Sequence, residues 1–192
     1  MKKIVLNSKP TSLFRYYHGE LFVRLDIQEE FKDETKFKNS AFVKTGRKVP
    51  TGNYTASELL VNRGSYLNIN WTKMKQMVIK AIDNDVKYKI RNGLIWKGCR
   101  VWLSDENQRN YASWVTAAKS NKSVLPLRAK FNDPKSNEVI YYDFANLEEL
   151  EDFYGTCIKH INAEVNRGRD LKDDFEKNAF LYKESFEITC KS

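Results

Sequence analysis

The sequence predicts an α+β protein in which a basic, β-rich N-terminal module precedes a compact ββαββα-like module. Three observations favour this class: alternating strand-like runs, helix-like runs with apolar residues at three- and four-residue steps, and an uneven charge distribution. Residues 1–93 carry 18 Lys and Arg against 9 Asp and Glu, whereas residues 94–192 carry 15 against 16. We therefore predict modules over residues 1–92 and 93–175, followed by a polar tail over 176–192.

Composition excludes several classes of protein. The 192 residues are 41% hydrophobic with a formal net charge of +8, which excludes a collagen-like, low-complexity or wholly disordered chain. No run approaches the ~18 apolar residues of a membrane span, and the first residues turn polar too soon for a signal peptide. We expect a soluble protein without membrane contact, with Cys99, Cys157 and Cys190 as reduced thiols.

The N-terminal module begins with a predicted β-hairpin. Residues 12–17 and 21–27 are rich in aromatic and branched side chains, and His18-Gly19 between them is typical of a tight turn. Residues 28–66 lack strong periodicity and contain loop-like punctuation, which predicts an extended arm broken by a short helix over 56–62. A linking helix is expected from the Asn70 cap to Asn92, with Gly93 beyond its end.

The second module has a clearer pattern. Two short strands flank Lys97-Gly98, a helix follows Ser104 or Asp105, and a hairpin is expected over 124–131 and 138–144. Asn146 with Glu149 predicts a capping box for the last long helix, which we expect Gly168 to end or interrupt.

Enzymatic and metal chemistry find little support. Phosphate-binding and nucleophile-elbow motifs are missing, and the acidic pairs fit solvated helix starts. Cys157 and His160 share a helix face, which suggests a Cys–His nucleophile. However, Cys157 lies on an apolar stripe, which favours the interpretation that its thiol is buried in the core. We therefore predict no enzyme, no catalytic residue, no metal and no cofactor.

The excess charge suggests a binding surface in the N-terminal module. Basic and aromatic residues interleave there, so the arm is a candidate surface for docking on protein partners, with direct nucleic-acid contact as the alternative. The candidate residues are Phe42, Lys44, Arg47, Lys48, Tyr54 and Arg63.

The second module contains a series of ordered motifs over about residues 93–175: the run Gly93–Ser104, the Glu106-Asn107-Gln108…Asn110-Tyr111 signature, Leu125–Phe131 and Tyr142…His160. Over these residues the module resembles an uncharacterised domain of small phage and prophage tail proteins from phages of gut Bacteroidota. The resemblance implies a virion protein of the tail or neck, made in the bacterial cytoplasm. It would act as an adaptor, ring or fibre-attachment component and would oligomerise on other tail proteins.

The motif residues are interpreted as structural, because large rings need extensive burial. The alternative is that the aromatic cluster forms a pocket or docking groove. A DNA-associated protein and a tail-assembly chaperone absent from the mature particle remain the alternative functions. The motif residues are Trp96, Gly98, Trp102, Glu106, Asn107, Tyr111, Trp114, Tyr154 and His160.

Overall fold

The computed structural model describes residues 1–10, 12–38, 41–64, 69–121 and 124–191. Helices and antiparallel sheets together make up most of the described residues, so the predicted α+β class is confirmed. The described strands are β1 (Lys2–Leu6), β2 (Phe14–Tyr17), β3 (Glu20–Lys38), β4 (Ala41–Arg63), β5 (Ile95–Trp96), β6 (Cys99–Arg100), β7 (Leu127–Asn132) and β8 (Val139–Phe144). The described helices are α1 (Trp71–Asn92), α2 (Asp105–Ser120), α3 (Leu147–Lys177) and α4 (Ala179–Lys191).

The chain forms two compact units. The first comprises Met1–Ile82 and Asp170–Ser192, and the second comprises Asp83–Arg169. This grouping differs from the predicted division, because residues from 170 onward belong with the N-terminal chain. The predicted polar tail over 176–192 is wrong: helix α4 occupies this segment and buries Tyr182 and Phe186, each 3% exposed.

The first unit contains a four-stranded antiparallel sheet in the order β1-β4-β3-β2. His18 and Gly19, both at positive φ, make the turn between β2 and β3, which confirms the predicted hairpin. The predicted short helix over 56–62 is wrong, since these residues belong to β4. Ile4 of β1 pairs with Ala56 and Val23 of β3 pairs with Leu59, so pairing on both sides overrides the local helix propensity.

Aromatic rings fill the core of the first unit beside the sheet. The ring centroids of Phe14 and Phe186 are 5.5 Å apart, and those of Trp71 and Phe175 are 6.0 Å apart. The Ser185 hydroxyl accepts a hydrogen bond from the Leu13 amide at 2.6 Å, which satisfies a backbone donor outside the sheet. These contacts explain why α4 is helical: its buried residues recur at helical spacing and meet β2.

An ion cluster lies within the first sheet. Glu58 on β4 is 7% exposed, and Arg15 donates to its two carboxylate oxygens from Nε and Nη2 at 2.9 and 2.8 Å. Arg24 Nε lies 3.3 Å from Glu58 Oε1. Burial alone favours the neutral carboxyl, but both guanidinium groups outweigh it and hold the pKa of Glu58 below its ordinary value.

The second unit contains a four-stranded antiparallel sheet in the order β5-β6-β7-β8. Lys97 and Gly98 at positive φ connect β5 to β6, which confirms the predicted turn, and the hairpin of β7 and β8 is also confirmed. Its buried core consists of Leu94, Trp96, Val101, Leu103, Tyr111, Val115, Ala118, Ala129, Phe131, Phe144, Leu150, Phe153 and Cys157.

Helices α1, α2 and α3 each start at a predicted side-chain cap. The amides of Lys73, Asn107 and Glu149 donate to Asn70, Ser104 and Asn146, which confirms the three predicted caps. The Glu149 carboxylate contacts Lys97 and Tyr142 instead of completing a capping box. Gly168 does not end α3: it is buried in the helix, where an added Cβ would lie 2.5 Å from Val86 Cγ2.

Candidate functional site

The arm predicted over residues 28–66 is largely a two-stranded β-ribbon. β1 pairs with β4 only over Tyr54–Glu58, and β2 pairs with β3 only over Glu20–Val23. Among the described residues, 30–38 and 41–53, called the ribbon here, therefore pair only with each other, and their register ends at Lys38 opposite Ala41. Nine residues at about 3.3 Å each give the ribbon a length of about 30 Å. None of its described side chains is buried.

Two Thr-Gly bulges shape the ribbon. Gly46 and Gly52 adopt positive φ, and at each of them β4 carries extra residues relative to β3. The hydroxyls of Thr45 and Thr51 donate to the carbonyls of Glu34 and Glu30, and each accepts the amide two residues further on. The glycines that suggested a loop are therefore bulge positions within a paired strand.

The predicted basic residues of the ribbon meet an acidic partner. Lys44 and Lys48 Nζ lie 2.9 Å from the two carboxylate oxygens of Asp33, and the hydrogen bond from Lys44, followed by that from Lys48, lowers the pKa of Asp33. Arg47 is exposed and makes no ion pair with any described residue. The ribbon thus presents one free guanidinium between two lysines that share a carboxylate.

The other candidate arm residues lie at the base of the hairpin or outside the described side chains. Arg63 Nε lies 3.1 Å from Glu20 Oε1, and the Tyr54 hydroxyl donates to Glu29 at 3.2 Å. Phe42 belongs to β4, but its side chain lies outside the described part of the structure. Sequence reasoning missed Asp33. A correct register for the hairpin would have placed it opposite the basic strand and so identified it.

The motif residues of the second unit divide into core and surface. Trp96 is 5% exposed, and its ring meets Phe153 with centroids 5.0 Å apart, whereas Tyr154 is half-buried against the same core. Trp102 is 54% exposed, so its predicted packing in the core is wrong. The extended segment alternates: Val101 and Leu103 are fully buried and Trp102 points away from them.

The Glu-Asn-Gln signature holds this extended segment in place. Ser104 caps α2, and Asn107 Nδ2 donates to the Trp102 carbonyl at 2.8 Å. Gln108 Nε2 donates to the Leu103 carbonyl at 2.9 Å. The two amide side chains therefore satisfy backbone acceptors outside the sheet, which gives the motif a structural role.

The same motif also lines a half-open groove with a volume of about 490 Å³. The pKa of Tyr111 is raised to about 12, chiefly by burial, and its ring packs on Trp114 with centroids 5.3 Å apart. The groove is formed by Trp102, Ser104, Glu106, Asn107, Asn110, Tyr111, Trp114, Lys130 and Asn132.

The Cys157 and His160 pair lacks the setting of a thiolate nucleophile. Cys157 is 2% exposed, and burial raises the pKa of its thiol to about 12. His160 Nε2 lies 3.0 Å from the Lys89 carbonyl oxygen. The contact orients the imidazole, since a ring N–H can donate to that acceptor. Cys99 is half-buried and forms no disulfide with a described residue, and the Cys190 side chain lies outside the described part.

Within the described residues, no group of three or more His, Cys, Asp or Glu side chains is arranged to hold a metal ion. None of the helices in that part of the chain has the length and apolar character that crossing a bilayer requires.

No protein-family model, no curated protein and no solved structure matches the chain.

Proposed function

We propose that the chain is a non-enzymatic docking protein of a phage virion, located in the tail or neck as an adaptor, ring or fibre-attachment component. The observation that carries the proposal is the exposed ribbon, a paired element about 30 Å long that has no third strand and no core among the described residues. The phage assignment itself rests on the sequence resemblance over residues 93–175.

The ribbon has the features of a docking element. Within the described residues, each of its strands pairs on one side only, and an unpaired edge offers backbone donors and acceptors to an incoming strand. Phe31 is 55% exposed and lies opposite the exposed Pro50. An exposed aromatic and an arginine are residue types enriched at interfaces, so Phe31 and Arg47 are the proposed anchors.

Symmetry would multiply a weak contact. A ribbon that binds a neighbouring subunit in a closed ring acts once per subunit, and linked contacts raise the overall affinity without new chemistry. The proposed partners are other tail or neck proteins and further copies of this chain, and the protein would be synthesised in the host cytoplasm.

The DNA-associated alternative is less favoured by the charges. Asp33 engages both Lys44 and Lys48, so a phosphate would have to compete with a carboxylate already in place. If DNA binding nevertheless dominates, the affinity falls about a thousandfold or more between 50 and 200 mM salt for six or more phosphate contacts. Docking on a protein partner does not require such a steep dependence.

Mass spectrometry of purified particles tests the proposal, with copy number calibrated against the major capsid protein. We expect a reproducible copy number that is a multiple of the number of subunits in a symmetric ring. The double variant Phe31→Ser/Arg47→Ser should lower that number at least tenfold. The control is Phe180→Ser, which changes another aromatic, 69% exposed on α4, and should leave the copy number unchanged.

Two results would contradict the proposal. Absence from particles despite abundance in infected cells indicates an assembly chaperone or a DNA-associated protein. Equal incorporation of the double variant and the control removes the ribbon from the docking mechanism.

A further inference from the structure

The groove of the second unit combines exposed aromatic surface with polar side chains. Its volume of about 490 Å³ lies within the range of about 300–1,000 Å³ that small-molecule sites occupy. Trp102 contributes an indole that is 54% exposed, and Trp114 contributes a second, half-buried one. The groove therefore offers flat apolar surface beside hydrogen-bonding groups.

The backbone that carries Trp102 is rigidly held before any ligand arrives. Asn107 bonds the Trp102 carbonyl, the Leu103 amide donates to the Arg91 carbonyl at 3.0 Å, and the Val101 amide donates to the Leu94 carbonyl at 2.9 Å. Val101 and Leu103 anchor the same segment in the core. Because the segment is already ordered, binding on this indole costs little backbone entropy.

Four polar groups of the groove are free to bond a ligand. Glu106, Asn110 and Lys130 are exposed and have no hydrogen-bond or ion-pair partner among the described side chains. The Tyr111 hydroxyl likewise has no partner there. Every buried side-chain polar atom of the described residues has a partner, so this hydroxyl is not itself buried and is open to the groove, although Tyr111 as a whole is only 4% exposed.

These groups form a mixed set of donors and acceptors with balanced charge. The Lys130 ammonium donates, the Glu106 carboxylate accepts, and both the Asn110 amide and the Tyr111 hydroxyl do either. One cation beside one anion is a poor site for a phosphate, and an apolar ligand would leave four polar groups without partners. A ligand with several hydroxyl groups and one apolar C–H face satisfies all of them.

We infer that the groove between the β6–α2 connection, α2 and β7 binds a neutral carbohydrate, one or two sugar rings in length, stacked on Trp102. The hydroxyls of the sugar bond Glu106, Asn110, Lys130 and Tyr111. This binding site is separate from the ribbon, so the inference stands whether or not the proposed docking function is correct.

Saturation-transfer difference NMR on the full chain tests the site. The probes are glucose, galactose, mannose, N-acetylglucosamine and their β1,4-linked disaccharides at up to 10 mM. We expect transfer to the ring C–H protons of at least one probe, with quenching of tryptophan fluorescence. Trp102→Ala should weaken binding about tenfold or more, because it removes the stacking surface.

Matched variants separate binding from folding. Asn110→Ala and Glu106→Gln each remove one hydrogen-bonding function at an exposed position and should weaken the same probe severalfold. Tyr88→Ala removes another exposed aromatic of the second unit, 64% accessible and outside the groove, and should bind as the unchanged chain does. Circular dichroism of each variant verifies that the fold is retained.

Three outcomes would overturn the inference. One is the failure of the unchanged chain to bind any probe. The second is equal binding by Trp102→Ala and the unchanged chain. The third is saturable binding of inorganic tripolyphosphate or of an apolar dye that is lost in Trp102→Ala, because such binding assigns the groove to anions or apolar ligands instead.

Discussion

The two sheets of this protein have the same number of strands but are stabilised differently. In the second unit every strand is short, and the buried rings of Trp96, Phe131, Phe144 and Phe153 pack on one another with centroids no more than 6.4 Å apart. In the first unit, β3 and β4 continue beyond the core as the ribbon, where cross-strand polar contacts replace buried side chains.

The comparison indicates how far a strand can extend without a core. A two-stranded ribbon is only marginally stable by itself, so its attachment to a four-stranded sheet supplies the register. Thr-Gly bulges and the bonds of Asp33 then maintain pairing outside the sheet. Stability in the second unit therefore depends on packing, whereas order in the ribbon depends on local hydrogen bonds and charge pairs.

The largest effect is expected from Phe153→Ala. Phe153 is fully buried and contacts the rings of both Trp96 and Tyr111, so its removal leaves a cavity in the core of the second unit. We expect a loss of about 3–5 kcal/mol in the free energy of unfolding, measured by urea denaturation. Phe31→Ala in the ribbon is the control, with an expected loss within about 0.5 kcal/mol. Equal losses of stability in the two variants would contradict the conclusion that packing stabilises the second unit and not the ribbon.

The next effect concerns Glu58. Its folded pKa lies below the unfolded one, so its ion cluster stabilises the first unit above about pH 4.3 and this contribution disappears as pH falls further. Glu58→Gln should cost about 2–3 kcal/mol at neutral pH, less than a fully buried pair because Arg15 is partly exposed.

Thermal unfolding between pH 3 and 7 measures this dependence. Glu58→Gln should flatten the acid side of the profile, whereas Glu184→Gln, an exposed change of the same charge on α4, should leave it unchanged. An identical acid slope in all three proteins would show that other carboxyls cause the acid sensitivity.

Two glycines of α3 give an intermediate test of packing. Alanine at Gly155 has open space and should stabilise the helix by about 0.5–1 kcal/mol. Alanine at Gly168 meets the stiff Val86 side chain and should be about 1–3 kcal/mol less stable than the Gly155 variant. Denaturation of both variants measures the difference in their free energies of unfolding. Similar stabilities would mean that the Val86 side chain moves aside at little cost in free energy.

The smallest effect is expected from Asp33→Asn, which removes the acceptor shared by Lys44 and Lys48. Global stability should remain unchanged, because the pair is exposed. Hydrogen exchange should become faster in the ribbon alone, while amides of β3 near Val23 keep their rate. Lys32→Gln is the control, since this exposed ribbon lysine has no ion pair among the described residues. Faster exchange in Lys32→Gln to the same extent would contradict the role of Asp33.

Local chemistry predicted much of the second unit. The Lys97-Gly98 turn, the caps at Ser104 and Asn146 and the hairpin of β7 and β8 each follow from a few neighbouring residues. The Glu-Asn-Gln signature was visible too, but its hydrogen bonds to the carbonyls of residues 102 and 103 were not. Nor did the pattern reveal that Trp102 faces the groove, because ring size alone favoured burial.

The α+β class, the tight turns and most helix starts follow from the sequence alone, because they depend on backbone preferences and caps within a few residues. Tertiary contacts were needed to show that residues 30–38 and 41–53 pair as a ribbon, that α4 joins the first unit and that α3 continues through Gly168. Each of these depends on partners distant in sequence: Asp33 opposite Lys48, Ser185 beside Leu13, and Val86 against Gly168. Such contacts outweigh local propensity once they form.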